Sequence, residues 1–426
     1  MGPAFSLATT LGVMVAVAGV LTPLALAATT ALMLVVALVF SRLAARFPDA
    51  GSSYAWARRA FGEGVGAYTA WILIVANFFA VLATAVPAGV YTLTLIAPAY
   101  AGTTAWEAAV GCVWIVACAL VLYLGVRPTA LVAAALLLAE LAVLAASAVA
   151  SGGGAAAPVS AGGTPVAPGA TAFLATMVLG IWMIDGWEVS AATSEETRDA
   201  PLAAGRGGVT GLLVTAAFLL ICTLAYLHFA GPAELGSHEI DVLAFIGERL
   251  GGAWKIVFVA TVLVSLAAAL QTTLLYLVRS IYAMGRDGVL PRGLGRLGAA
   301  TRDPDVALVA VMLAVLLATL LVGLVPAANA ALEIVIGGSA FFLGVLFLTS
   351  CAAAVRLLDK EGPFLAALAG LALAVILVAA LLGATFATRS WIVIGLAVGI
   401  PIALVRAASN RARTQVRNPA ARNIGG

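Results

Sequence analysis

Charged residues are scarce in this chain, at 10% of its 426 residues. Soluble domains carry about 25%. Hydrophobic residues make up 63% of the sequence, and the mean hydropathy is +1.13. This composition excludes a series of soluble domains and predicts an all-α polytopic protein embedded in a lipid bilayer.

Residue types that commonly build metal and redox sites are also few. The chain has two histidines, and its four cysteines all lie in apolar runs. We therefore expect free thiols, no metal and no cofactor. The sequence also lacks G-x-x-x-x-G-K-[ST], H-E-x-x-H and G-x-S-x-G. These absences argue against ATP as the energy source and against an enzyme.

Long apolar runs dominate what is present. A membrane span needs about 20 apolar residues, and the chain offers about twelve such runs. The predicted spans are 3–20, 22–41, 67–97, 105–126, 128–149, 170–193, 207–230, 253–284, 305–325, 328–355, 363–384 and 388–406.

Positive charge is concentrated on one side of this arrangement. If the even-numbered loops and the tail face inward, all but Arg249, Lys255 and Arg389 of the 22 lysines and arginines lie inside. Positively charged loops stay in the cytoplasm. We therefore expect a multi-pass protein of the cytoplasmic membrane with its C-terminus inside, and a disordered cytoplasmic tail over 409–426.

The span pattern suggests an internal duplication within a permease domain over 1–408. Spans one to five cover about 3–150, and spans six to ten cover about 170–356. Because five is odd, the second set must run inverted relative to the first. Two further helices follow at 363–406. The first helix is predicted to be truncated before Gly2-Pro3, a feature that a coding start placed too far downstream also explains.

The sixth span contains an interruption around which the chain is organised. Asp185-Gly186 follows the apolar run 173–184, and the helical pattern resumes at Trp187. A carboxylate at mid-membrane costs about 2.5–3.5 kcal/mol, and glycine eases a break in the helix. Broken helices form midplane substrate sites in many secondary transporters. An alternative is that Asp185 caps the second half-helix together with Glu188.

Three loop segments have distinctive sequences. They are SRLAARFPDAGSSYAWARRAFG at 41–62, EETR at 195–198 and YAMGRDGVLP at 282–291. Their order and spacing resemble those of the amino acid–polyamine–organocation (APC) permease superfamily, over residues 1 to about 406. The resemblance implies a LeuT-type 5+5 inverted repeat with two C-terminal helices. It also implies uptake or exchange of amino acids, polyamines or related organocations, often coupled to protons.

The half-helix ends suggest how a substrate would bind. Backbone N–H groups at a helix N-terminus favour a carboxylate, and carbonyls at a C-terminus favour an ammonium group. We therefore expect the carbonyls of 180–184, up to Ile184 beside Asp185 and Gly186, to receive the amine. The substrate carboxylate is assigned to the backbone of Gly2, Pro3, Ala4, Phe5 and Ser6.

By resemblance to the arginine/agmatine antiporter, Trp182 stands at the position of a gating tryptophan and Glu188 at that of a proton-sensing glutamate. Packing is the alternative for Trp182. Glu140 lies where proton-coupled members carry a lysine, so its charge is reversed. It could carry a proton, hold a cation or be a hydrogen-bonded structural residue. Asn77, Ser265 and Gln271 are lower-ranked cavity-lining residues that interhelical hydrogen bonds explain equally well.

These observations predict a secondary active transporter for an amino acid or related organic amine, working by alternating access and driven by protons or exchange. Its partners are the small-molecule substrate, the lipid bilayer and protons. Asp185 favours a cationic or amine substrate, since it repels an anion. The alternative is a non-transporting permease-like sensor or degenerate paralogue.

Overall fold

The computed structural model describes residues 2–153, 169–197, 200–238, 241–299, 301–324, 328–358, 362–387 and 395–399. Within these residues the regular elements are helices, as the composition predicts. They are α1 (Pro3–Ala18), α2 (Thr22–Arg46), α3 (Ser53–Phe61), α4 (Glu63–Ile96), α5 (Thr104–Tyr123), α6 (Val126–Gly152), α7 (Ala170–Ile184), α8 (Val189–Ala192), α9 (Ala200–Ala230), α10 (Pro232–Ser237), α11 (Val242–Leu250), α12 (Trp254–Arg286), α13 (Asp305–Gly323), α14 (Ala328–Leu357) and α15 (Pro363–Ala387).

Eight described helical stretches are long and apolar enough to cross a membrane, and two shorter ones follow at Phe341–Leu357 and Pro363–Val378. The first of the eight, Pro3–Arg46, has 44 residues. It would be about 66 Å long if straight, roughly twice the hydrocarbon thickness. The chain turns at Gly19, where φ is +53°, so α1 and α2 are separate spans. The protein is therefore a polytopic helical membrane protein.

Two predicted segments lie largely outside the described residues. The twelfth span, 388–406, is represented only by the single turn Gly395–Gly399. The predicted tail 409–426 lies entirely outside the described residues.

The helices pack in pairs that match the predicted duplication. Helix α1 packs against α7, α2 against α9, α4 against α12 and α5 against α13. Four of the five helices of the first set thus contact the helix at the corresponding place in the second set, whereas α6 packs mainly against α12 and α9. This pairing supports a repeat, whose boundaries at 3–150 and 170–356 remain predictions.

Small residues allow these uniformly apolar helices to approach closely. A Cβ atom on Gly89 of α4 would lie 1.9 Å from the Glu107 carbonyl oxygen of α5. On α5, one on Gly111 would lie 2.5 Å from the Ala85 carbonyl oxygen. Helix α4 is the most buried of the eight candidate spans, with 72% of its most apolar window inside the protein. It therefore forms the centre of the bundle, beside the break in the sixth span.

Candidate functional site

The sixth span is broken where Asp185-Gly186 predicts it. Helix α7 ends at Ile184, Asp185 is extended, and Gly186 adopts a φ of +107°, which favours glycine. Helix α8 begins at Val189, two residues later than the sequence suggests, and lasts for one turn. The last four carbonyl groups of α7 therefore have no partner further along their own helix, and its negative dipole end points into the break.

Glu188, and not Asp185, occupies the N-cap position of α8. The Glu188 carboxyl group turns back and accepts the Gly186 N–H at 3.0 Å. The interpretation of Asp185 as the N-cap residue is therefore wrong. The Asp185 and Glu188 carboxyl groups instead interact directly with each other.

Helix α9 packs closely against the break. A Cβ atom on Gly208 would lie 2.6 Å from the Ser190 hydroxyl oxygen and 2.8 Å from the Trp187 carbonyl oxygen. The Ser190 hydroxyl donates to that same carbonyl at 3.0 Å. The turn 187–190 therefore packs directly against Gly208, and a larger residue at position 208 must displace the turn.

We expect Gly208→Ala to destabilise the protein by about 1–2 kcal/mol. Overpacking costs about 1–3 kcal/mol, and better helix propensity returns up to about 1 kcal/mol. The matched control is Gly207→Ala in the same helix, where an added Cβ meets nothing within 4 Å. That variant should be neutral or slightly stabilised. Thermal unfolding in detergent compares the two, and equal behaviour would contradict the close packing.

A cavity of about 230 Å³ lies beside the break. Residues from α6, α9, α12 and the break enclose it together with Gly2. Its polar side chains are Glu140, Asp185, Trp187, Thr215 and Thr272. The cavity is smaller than typical drug-sized pockets of about 300–1,000 Å³, so it suits a small solute.

A second cavity of about 20 Å³ lies on the other side of Asp185-Gly186. It has room for about one water molecule. Asn77, Thr84, Glu188 and Thr272 contribute to its lining. Asp185 borders both cavities, whereas Glu188 borders only the smaller one.

The beginning of α1 is bound by two side chains from distant helices. The Ala4 N–H donates to Glu140 Oε2 at 3.2 Å, and the Phe5 N–H donates to Ser265 Oγ at 3.0 Å. The Ser6 N–H donates to the Gly2 carbonyl at 3.2 Å. Backbone donors that the sequence assigned to a substrate carboxylate thus have partners within the protein. Pro3, at the first helical position, has no N–H to donate.

Sequence reasoning missed Thr215, Thr272 and Trp187 among the polar residues of the larger cavity. Trp187 is the one of the three that aromatic contacts hold in place. Its ring stacks on Phe347 with centroids 5.5 Å apart and meets Phe40 edge-on at 5.1 Å. Its Nε1–H is buried and has no hydrogen-bond partner among the described residues, as is also true of Glu140 Oε1. A donor and an acceptor in one cavity lining are therefore available to a ligand. In the sequence, Trp187 continues an apolar helical pattern and gives no separate signal.

Three other predicted residues lie further from the larger cavity. Trp182 packs in an apolar cluster with Leu82 and Ala83 of α4 and borders neither cavity. Gln271 donates to the Thr129 carbonyl at 3.3 Å and ties α12 to α6. Asn77 donates to the carbonyl four residues before it, at 3.0 Å, while lining the small cavity. A substrate role for these residues stays a prediction.

The three distinctive loop segments meet at one end of the bundle, which we call the arginine-rich end (46–63, 193–197, 279–299 and 301–303). Arg286 pairs with Asp49 at 3.2 Å and with Glu195 at 3.0 Å. Arg58 pairs with Asp287 at 2.8 Å. These ion pairs connect the loop after α2 to the segment after α8 and to the end of α12.

Two further contacts strengthen this end. Buried Arg279 binds Glu196 at 2.9 Å and Asp303 at 3.1 Å. The Tyr54 hydroxyl donates to Asp287 Oδ2 at 3.0 Å. The ion pairs join α3 and α12 to the segments around Asp49, Glu195 and Asp303 at this end of the bundle.

Stability should depend on the protonation of Asp49. Burial raises its pKa above the ordinary value of 3.8, although the Gly51 N–H and Arg286 oppose the shift. Glu195 and Asp287 also face this carboxyl group and reinforce the rise. The folded protein therefore keeps this proton to a higher pH than the unfolded chain does.

The stability gained from that proton is complete below about pH 3.8 and is lost as the pH rises through the folded pKa. We expect the free energy of unfolding of wild type minus that of Asp49→Asn to fall from pH 4 to pH 7, because only the wild type loses the contribution of the Asp49 proton. Denaturation in detergent across this range measures it. A difference that grows with pH would contradict the sign of the shift.

Bilayer-spanning helices, with one broken beside an acidic cavity, define a membrane transport protein. The sequence profile of the family described as "Amino acid permease" matches residues 2–405. The chain therefore belongs to the amino acid permease family, as the loop segments predict. A comparison with curated proteins gave no match.

Proposed function

We propose that the protein is a secondary active transporter that moves a small organic amine or amino acid across the cytoplasmic membrane by alternating access. The carrying observation is the break between α7 and α8, which borders a cavity at Asp185. Family membership supports transport, and the ion pairs of the arginine-rich end support a gate on that side. The positive-inside rule supports a cytoplasmic position for that end and for the C-terminus.

The charge of the cavity favours a cation. Glu140 and Asp185 line it, and its described lining contains no arginine, lysine or histidine. The carbonyl end of α7 adds partial negative charge at Ile184. An ammonium group can therefore bind between Asp185 and this helix end, with the Trp187 N–H available to an acceptor elsewhere on the substrate.

The contacts of α1 favour an amine that has no carboxylate of its own. In the expected arrangement the substrate carboxylate binds the first N–H groups of α1. Here Glu140 already accepts the Ala4 N–H, and Ser265 accepts the Phe5 N–H. Glu140 thus acts as a built-in carboxylate, and a substrate carboxylate would compete with it and be repelled by it.

Proton coupling follows from the Asp185–Glu188 pair. Two carboxyl groups in contact repel each other when both are ionised, so such a pair favours one shared proton. An ammonium group beside Asp185 can replace that proton. Substrate entry on one side and proton loss on the other would then be linked through Glu188 and the small cavity.

The experiment is an uptake assay in proteoliposomes with matched substrate pairs, each an amino acid and the amine left by removing its carboxyl group. Lysine with cadaverine and phenylalanine with phenethylamine are suitable. We expect the amine of a pair to be taken up faster, and an imposed proton gradient to change its rate. If the folded protein neither takes up nor exchanges any member of the panel, the transporter proposal is refuted. Faster uptake of the amino acids would refute only the amine preference.

A further inference from the structure

A third cavity, larger than the two at the broken helix, lies at the arginine-rich end. Its volume is about 560 Å³. The end of α2 and its loop, helix α3, the end of α14 with Leu358, and the first residue of α15 form its walls. The residues that line it are Arg46, Phe47, Pro48, Asp49, Ala55, Trp56, Arg59, Leu357, Leu358 and Pro363.

Two cavity arginines differ from the three that form the ion pairs of this end. Arg58, Arg279 and Arg286 each form ion pairs with carboxylates. Exposed Arg46 and Arg59 form no ion pair or hydrogen bond with a described residue. Their positive charges are thus available to an anionic ligand, and two guanidinium groups can each bind phosphate oxygens in a forked geometry.

The site is held in place by its aromatic residues. The Trp56 indole N–H donates to the Phe47 carbonyl at 2.9 Å, which fixes the loop after α2 against α3. The Arg59 guanidinium lies over the Phe47 ring, 4.4 Å from its centre. This cation–π contact positions one cationic group at the cavity without neutralising its charge.

The described residues of the opposite wall are apolar and lie at the ends of two apolar helices. Leu357 ends α14, Leu358 follows it, and Pro363 begins α15. Asp49 also lines the cavity, but Arg286 compensates its charge. Paired cations facing an apolar wall at this level suit a ligand with a phosphate group and an apolar part.

We propose that this cavity binds the glycerophosphate group of an anionic lipid, with Arg46 and Arg59 on the phosphate and the acyl chains leaving along α14 and α15. Each basic side chain near an anionic membrane surface contributes about 1 kcal/mol, a factor of about five. Loss of both should therefore weaken binding by about thirtyfold.

The test titrates purified full-length protein in detergent with short-chain phosphatidylglycerol, phosphatidylcholine or soluble glycerol 3-phosphate, and follows binding by native mass spectrometry. We compare wild type with the double variant Arg46→Gln/Arg59→Gln. The control is Arg292→Gln, which removes an exposed arginine of the same end that does not line the cavity. Melting temperature without lipid checks that each variant is folded, and Arg46→Lys/Arg59→Lys replaces the Gln pair if it is not.

We expect wild type and Arg292→Gln to prefer phosphatidylglycerol over phosphatidylcholine, and the double variant to lose that preference. If glycerol 3-phosphate binds as tightly as the lipid, the phosphate site stands but the lipid as its source is wrong. Equal binding of both lipids by wild type, or an unchanged preference in the double variant, would overturn the proposal. If the Lys pair is used, both charges remain, and it should retain the preference while binding less tightly.

Discussion

Replacing Asp185 by Asn should reduce amine transport by about 10- to 100-fold in kcat/KM while leaving the fold intact. Asn has the same shape but no charge, and a contact with a charged group contributes about 1.5–3 kcal/mol. Asp185 borders both cavities at the break, so it is the carboxylate best placed to meet the ammonium group. Proteoliposome uptake measures the loss, and melting temperature separates it from unfolding.

Glu188→Gln is the matched control for that experiment. Glu188 belongs to the same carboxyl pair but borders only the small cavity. We expect its KM to change less than about threefold, while the response of its transport rate to pH is flattened. If Asp185→Asn transports at the wild-type rate, a substrate role for Asp185 is contradicted. A loss of transport that is explained by unfolding of the variant would contradict it as well.

The second large effect is on stability, at Arg279. Its side chain is only 3% exposed and bridges Glu196 and Asp303. Removing one member of a buried ion pair costs about 3–5 kcal/mol. The two carboxylates retain 35% and 20% exposure and can partly rehydrate. We therefore expect Arg279→Gln to lower the free energy of unfolding by about 2–3 kcal/mol.

Denaturant titration in detergent measures that loss. Arg292→Gln provides the comparison, because a change at an exposed unpaired arginine should stay within about 0.5 kcal/mol. Arg279→Lys keeps the charge but loses the forked contact. Its free energy of unfolding should therefore lie between those of Arg279→Gln and Arg292→Gln. Similar free energies of unfolding for Arg279→Gln and Arg292→Gln would mean that this ion-pair network does not stabilise the arginine-rich end.

The break in the sixth span was predictable because its cause is local. A carboxylate next to glycine in an apolar run is costly unless the helix opens there. The restart of the helix was placed two residues early. Trp187 and Glu188 suit a helix by pattern, yet the Glu188 carboxyl group binds the Gly186 N–H and extends the turn. Such a contact depends on backbone geometry that residue pattern does not specify.

The rest of the site depends on contacts between distant parts of the chain. Ala4 and Glu140 are 136 residues apart, and Phe5 and Ser265 are 260 apart. Each residue stood out as polar or helix-terminal in the sequence, but their pairing did not. The same holds for the arginine-rich end. Its three loop segments are recognisable in the sequence, but nothing there indicates that Arg286 of the third segment pairs with residues of the other two.

The central claim is that the substrate occupies the cavity beside the break. Ala268 lines that cavity, so Ala268→Cys, in a protein whose four native cysteines are replaced, reports on it. The measurement is the rate of thiol alkylation in proteoliposomes with and without a transported amine, compared with exposed Ser237→Cys. The account predicts that the amine slows alkylation at position 268 and leaves position 237 unchanged. Alkylation at 268 that is unaffected by saturating amine, in protein that still transports it, would contradict the account.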